Sequence, residues 1–153
     1  MLFVVDVMLG KLAKWLKILG FDAAFSSRAE DDDLLAVARR EGRTLLTRDR
    51  ALLGRDKGVP HLLVESDAWE DQVRQVIDHF ALQDAVCPHS RCLECNIVLK
   101  PIAREEAAKL VPPFVFETAG EFARCPSCGR VFWPGTHFEA MSAKLADLLK
   151  PPS

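Results

Sequence analysis

An α/β fold, a parallel sheet with helices on both faces followed by a smaller second module, is what this sequence predicts, and three observations predict it. Short apolar runs alternate with amphipathic stretches from Leu2 to about Phe80, the pattern of βαβ units. The first run, Leu2-Phe3-Val4-Val5, is apolar at every position and reads as a strand buried on both faces. After Asp84 cysteine and proline rise and the apolar periodicity weakens, which marks a change of module. With 153 residues the chain has room for a core domain and a small appendage, and the expected division is 1–84 and 85–153.

The first strand ends on Asp6, and in open parallel sheets ligands sit beyond the carboxyl ends of the strands. Asp6 is therefore either a helix cap or a site residue. A helix over Met8 to Leu19 places Met8, Leu9, Leu12, Trp15, Leu16 and Leu19 on one arc at about 100° per residue, with Lys11, Lys14 and Lys17 on the other side. Those lysines are either a solvated face or a contact for phosphates. Gly20 stops the helix, Phe21 to Phe25 form a second strand, and Ser26 to Ala29 are loop.

The run Glu30-Asp31-Asp32-Asp33 falls on the first turn of a helix that ends near Gly42. Acids there favour the helix dipole, although four in a row repel one another unless a cation or water relieves them. Thr44 to Thr47 is a third strand running out into Arg48-Asp49-Arg50, and Pro60 to Val64 is a fourth. Asp67 and Glu70 have capping-box spacing ahead of a helix with Trp69, Val73, Val76, Ile77 and Phe80 on one stripe, so Asp67 reads as a cap rather than a catalytic group.

In the second module Phe114 to Glu117, Phe122 to Arg124 and Arg130 to Trp133 read as hairpin strands. Thr136 and Glu139 offer a capping box for a closing helix lined by Phe138, Met141, Leu145, Leu148 and Leu149 and ended by Pro151 and Pro152. Cys92-Leu-Glu-Cys95 and Cys125-Pro-Ser-Cys128 supply four thiolates at knuckle spacing, the requirement of tetrahedral structural zinc. Asn96 and Gly129 follow the knuckles, where backbone that tolerates φ > 0 is useful. Four protein ligands leave no open position, so this metal is expected to be structural. Cys87, His89 and His137 lack paired spacing; Cys87 reads as a buried or incidental thiol and His137 as a first-turn helix residue.

A net charge of −2 gives no global argument for nucleic acid, so any basic surface is local. No apolar run is long enough to span a bilayer, and strand-forming residues begin directly after Met1, leaving no room for a signal peptide. The expected location is the cytoplasm, where paired cysteines favour metal over disulfides.

Asp6, Asp31 to Asp33, Asp49 and Asp67 each follow a strand, and a parallel sheet sets those points along one edge. Carboxylates gathered there need divalent cations, and hard oxygen ligands suit Mg²⁺ or Mn²⁺. The Asp-x-Asp after strand one that a haloacid-dehalogenase-type phosphatase needs is lacking in Asp6-Val7-Met8, and the acid pair and lysine of a response-regulator receiver are not seen.

The residues Asp6-Val-Met-Leu-Gly-Lys-Leu-Ala-Lys-Trp-Leu-Lys-Ile-Leu-Gly-Phe-Asp22, Asp31-Asp-Asp-Leu-Leu35 and Gly42-Arg-Thr-Leu-Leu-Thr-Arg-Asp49, with Arg91-Cys-Leu-Glu-Cys-Asn96, Cys125-Pro-Ser-Cys-Gly129 and Trp133-Pro-Gly-Thr-His137, carry a resemblance. The chain resembles the PIN-type nuclease superfamily, and more closely its Mut-seven C-terminal RNase branch, a PIN-like domain with an appended zinc ribbon. The resemblance implies metal-dependent hydrolysis of RNA. It implies Asp6, Asp31 and Asp49 as ligands for Mg²⁺ or Mn²⁺, with Asp32 as the alternative to Asp31 and Asp67 as the one placed candidate for a fourth acid. Thr47, Arg48, Lys11 and Lys14 are then expected to orient or bind the RNA. The rival expectation is a catalytically silent RNA- or protein-binding adaptor whose acids are helix caps and whose zinc module is the docking surface.

Overall fold

The computed structural model describes residues 1–55, 58–134 and 138–150. The chain forms two compact units, Met1–Asn96 and Ile97–Ser153.

In the first unit the strands β1 (Leu2–Val5), β2 (Asp22–Phe25), β3 (Thr44–Thr47) and β4 (His61–Leu63) form one parallel sheet in the order β2-β1-β3-β4. Central strands are the apolar ones, as burial on both faces demands, and β1 pairs with β2 and β3 along nearly its whole length. The helices are α1 (Gly10–Ile18), α2 (Asp31–Glu41), α3 (Arg50–Arg55) and α4 (Trp69–His79). On one face Val4 and Leu45 pack with Leu34 and Ala38 of α2, Leu52 of α3 and Val59. On the opposite side Phe3 meets Phe21 and Phe80 edge-on or tilted, and Trp15 of α1 stacks on Trp69 of α4 with centroids 4.4 Å apart.

The strands lie where the sequence puts them, and three local readings change. Val7–Leu9 turns as a 3-10 helix before α1, so the 100° spacing does not hold there and Met8 is 80% exposed rather than part of the inner stripe. The helix α4 starts at Trp69 with Ala68 at its cap position and no side-chain cap bond; the Asp67–Glu70 capping box is not formed. Ser66 does that local work, its Oγ accepting the Ala68 N–H at 3.0 Å. The short helix α3 is absent from the sequence reading, although Asp49 followed by Leu52 and Leu53 is a cap ahead of an apolar pair.

Arg43 ties three parts of the sheet together. Its guanidinium is buried and donates to Asp22 Oδ1 at 2.7 Å, to Glu41 Oε1 at 2.9 Å and to the Phe3 carbonyl at 3.0 Å. Although burial opposes the charge, these carboxylates hold the guanidinium pKa above its ordinary value. Hydrogen bonds from Arg43 and Arg40 hold the Glu41 carboxyl below its usual 4.5, so its contribution is present above that pH and fades as pH falls through the lowered value. Arg43→Met removes the cation and leaves Asp22 without its ion pair. Because Asp22 and Glu41 keep some solvent, the expected loss is about 2 to 3 kcal/mol of unfolding free energy, less than for a fully buried pair. Urea denaturation measures it, and a loss under about 0.5 kcal/mol, the scale of an ordinary surface change, contradicts this role.

The second unit holds a three-stranded antiparallel sheet, β5 (Lys100–Pro101), β6 (Ala123–Arg124) and β7 (Val131–Phe132), in the order β5-β6-β7. Its helices are α5 (Arg104–Ala107), α6 (Pro113–Thr118) and α7 (Phe138–Leu148). Ala107, Val111, Val115, Ala119 and Phe122 form its core. Here Phe114 to Glu117 is helical, not a strand: Pro113 is preset for a first helical turn, the Phe116 N–H closes that turn on the Pro112 carbonyl at 3.1 Å, and Val115 is the residue the helix buries in the core. The closing helix is found, with Leu145 and Leu148 buried. Thr136, the Glu139 side chain, His137, Pro151 and Pro152 lie outside what is described. No helix among the described residues is long and apolar enough to cross a membrane.

Candidate functional sites: a carboxylate edge and a cysteine cluster

The carboxyl end of β1 delivers Asp6 into a nearly closed environment, 6% exposed. Its backbone N–H donates to Leu46 O at 3.0 Å, which extends the β1–β3 ladder to the last residue and fixes where the side chain leaves the sheet. Although Asp6 stands at the cap position of the 3-10 turn, its carboxylate makes no cap bond. It accepts instead from the fully buried Thr47 hydroxyl, Oγ1 to Oδ2 at 2.7 Å. The Thr47 oxygen in turn accepts the Asp49 N–H at 3.0 Å. This relay defines the direction of the Thr47 proton and so the orientation of Asp6. Thr47 is fully buried and its hydroxyl is engaged with Asp6 and the Asp49 N–H.

Asp49 and Asp31 stand differently. The Asp49 Oδ1 accepts the N–H groups of Ala51 at 2.9 Å and Leu52 at 3.4 Å, capping α3. Asp31 is half-exposed at the start of α2 and lies 3.5 Å from Arg55, which also pairs with Asp32. The N-terminus of α2 is closed by Glu30 and Asp33 in a reciprocal capping box, with the Glu30 N–H donating to Asp33 Oδ2 at 3.0 Å. Repulsion within the acidic run is therefore relieved by backbone N–H groups and by Arg55, in an open cleft lined by Glu30, Asp31, Asp32 and Arg55. Asp67 is exposed after β4. Among the described residues Asp6, Asp31 and Asp49 do not form a group of converging ligand atoms; each has a separate protein partner. Arg55 is the participant that sequence reasoning missed, because it sits on the unexpected α3.

Among the basic residues, Lys11 and Lys14 are exposed on α1, whereas Lys17 is half-buried and its Nζ donates to Leu93 O at 2.9 Å. Lys17 therefore leaves the outer row. Arg48 is exposed and reaches the Glu65 carbonyl at 3.4 Å.

The four cysteines do converge. One ligand atom each from Cys92, Cys95, Cys125 and Cys128 lies within 4.8 Å of all the others, and among the described residues this is the group of three or more such side chains that could hold a metal ion. Each knuckle closes the same way: the Asn96 N–H donates to Cys92 O at 2.8 Å, and the Gly129 N–H to Cys125 O at 2.9 Å. Asn96 and Gly129 have φ of 58° and 77°, the left-handed backbone that lets four residues turn their two sulfurs to one side. The donor set fits zinc: four soft ligands in two knuckles, with Zn–S bonds of about 2.3 Å placing sulfurs roughly 4 Å apart. Cys87 is exposed, neither buried nor in this group, and His89 takes no part in it. Burial pushes the His89 imidazole pKa down.

In comparison with known proteins, the family model described as Mut7-C RNAse domain matches residues 1–145. No curated protein and no solved structure matches the chain.

Proposed function

Because the chain belongs to the Mut7-C RNAse domain family, whose name gives an RNase-like function, we propose that it is a metal-dependent ribonuclease that hydrolyses RNA phosphodiester bonds at the Asp6 edge. The observation that carries this reading is Asp6 itself. A carboxylate this buried, given a single side-chain hydrogen bond and no cation among the described residues, is costly in a purely structural role. It suits a hard divalent ion, Mg²⁺ or Mn²⁺, with Asp31, or Asp32 in its place, and Asp49 as the further oxygen ligands. The chemistry such an ion supplies is neutralisation of phosphate charge and activation of water. In this reading Thr47 holds Asp6 in one orientation, while Lys11, Lys14 and Arg48 draw the RNA backbone to the edge. Residues 1–84 carry the nuclease chemistry and 85–153 a zinc-ribbon domain whose zinc is structural, in a protein of the cytoplasm.

One set of contacts favours a second reading, a catalytically silent adaptor: Asp49 caps α3 and Asp31 pairs with Arg55, so both have structural employment. Incubation of the purified protein with single-stranded RNA separates the two. The ribonuclease cleaves in Mn²⁺ and stops in excess EDTA; an adaptor binds and leaves the RNA intact in both.

Replacing Lys11 and Lys14 together by Gln is expected to weaken RNA binding and to lower the slope of log affinity against log salt by about one for each phosphate that the lysines had neutralised. An unchanged slope returns these lysines to a solvated face.

A further inference from the structure

The segment that leads into the first cysteine knuckle is moulded onto the corner between α1 and β2. The Cys87 N–H donates to Leu19 O at 2.8 Å and the His89 N–H to Ile18 O at 2.9 Å, satisfying carbonyls at the end of α1. The approach is so close at Gly20, φ 96°, that a Cβ there would lie 2.5 Å from the Cys87 carbonyl oxygen. The knuckle itself is held from both sides. Asn96 accepts the Ala23 N–H at 3.1 Å through Oδ1 and donates from Nδ2 to Asp22 at 2.6 Å, the carboxylate that Arg43 also holds. Arg91 donates to Asn96 O at 2.7 Å and reaches Gly20 O at 3.4 Å. Lys17 places its ammonium on Leu93 O, inside the loop between Cys92 and Cys95.

We infer that the α1–β2 corner is a template for the first half of the metal site: Asn96 and Lys17 are positioning residues that hold the Cys92–Cys95 knuckle ready before zinc arrives and raise its affinity for the ion. Two effects act together. The hydrogen bonds through Asn96 fix the backbone turn, so less ordering entropy is lost on binding. A zinc ion with four thiolates carries a net double negative charge, and the Lys17 cation offsets part of it in a partly desolvated place. The inference rests on the zinc reading of the cysteines and is independent of nuclease activity.

The test is the zinc affinity of the full chain, measured by chelator competition well below the unfolding temperature, for wild type, Asn96→Gly, Lys17→Met and Lys17→Arg. Asn96→Gly keeps the positive φ without strain and deletes only the side-chain bonds. Asn96→Gly and Lys17→Met are each expected to weaken zinc binding by about 10- to 100-fold, the usual effect of losing an outer partner of a metal ligand, while Lys17→Arg, which keeps the charge, stays closer to wild type. Thermal unfolding of the metal-stripped proteins gives the control, because a merely structural role lowers that melting temperature and leaves zinc affinity unmoved. One zinc per chain with the same affinity in all three variants overturns this inference alone. A wild type that binds no zinc overturns it together with the zinc reading.

Discussion

Asp6→Asn is expected to lose RNA cleavage by about 100-fold or more while the protein stays folded and still binds RNA. Asn keeps the shape and can still accept the Thr47 hydroxyl, so the relay from Asp49 N–H through Thr47 survives. It cannot supply the anionic charge that a hard divalent ion needs. Removing a buried charge with no cationic partner among the described residues also relieves desolvation, so the melting temperature of the metal-free variant holds or rises. Asp49→Asn makes the discrimination sharper. Asp49 caps α3 in the structure, and Asn caps a helix about as well as Asp, so a purely structural Asp49 predicts an almost silent exchange. A large loss of cleavage with an unchanged melting temperature assigns Asp49 to the site. Asp67→Asn, at an exposed position that caps nothing, is the internal comparison and is expected to change little. Wild-type cleavage rates in both Asp6→Asn and Asp49→Asn remove the metal-nuclease reading.

Loss of the cysteine metal is expected to have an effect as large, on folding rather than on chemistry. Protein purified without added metal should carry one zinc per chain, because four cysteine sulfurs within 4.8 Å of one another supply the complete donor set of a tetrahedral zinc site. Cys92→Ser with Cys95→Ser is expected to abolish zinc binding and to unfold the second unit, whose described core of Ala107, Val111, Val115, Ala119 and Phe122 is small. The first unit has its own sheet and two packed faces, so its far-UV signal and cooperative transition should persist. Elemental analysis and hydrogen exchange read these two outcomes separately. Zinc content and second-unit protection that survive the double substitution contradict the assignment.

Much of the fold is legible in the sequence, for physical reasons that differ by element. Continuous apolar runs admit few alternatives, so Leu2–Val5 and Thr44–Thr47 read as the strands they are. Gly42 and the acids of the first turn bound α2, and the two Cys-x-x-Cys pairs announce a cluster because ligand spacing is a local property. What cannot be read is long-range or very short. The Asn96–Asp22 bond joins residues 74 positions apart and leaves no periodic trace. Lys17 has the spacing of an outer-face lysine, and only the docking of Leu93 turns it inward. Helix α3 is too short for a periodicity signal, and with it goes Arg55, the cation that answers the acidic run. Phe114 to Glu117 shows how bulky apolar residues imitate a strand when the deciding feature is the proline before them. At the carboxylate edge the sequence names the acids but not their present partners.

The central claim, that the Asp6 edge holds the catalytic divalent ion, is tested most directly by anomalous diffraction from crystals soaked in Mn²⁺. A peak bounded by Asp6 and Asp49, with Asp31 or Asp32 drawn from Arg55 toward it, is the predicted result. Manganese found only elsewhere, with Asp31 still on Arg55 and Asp6 contacted by Thr47 alone, contradicts it.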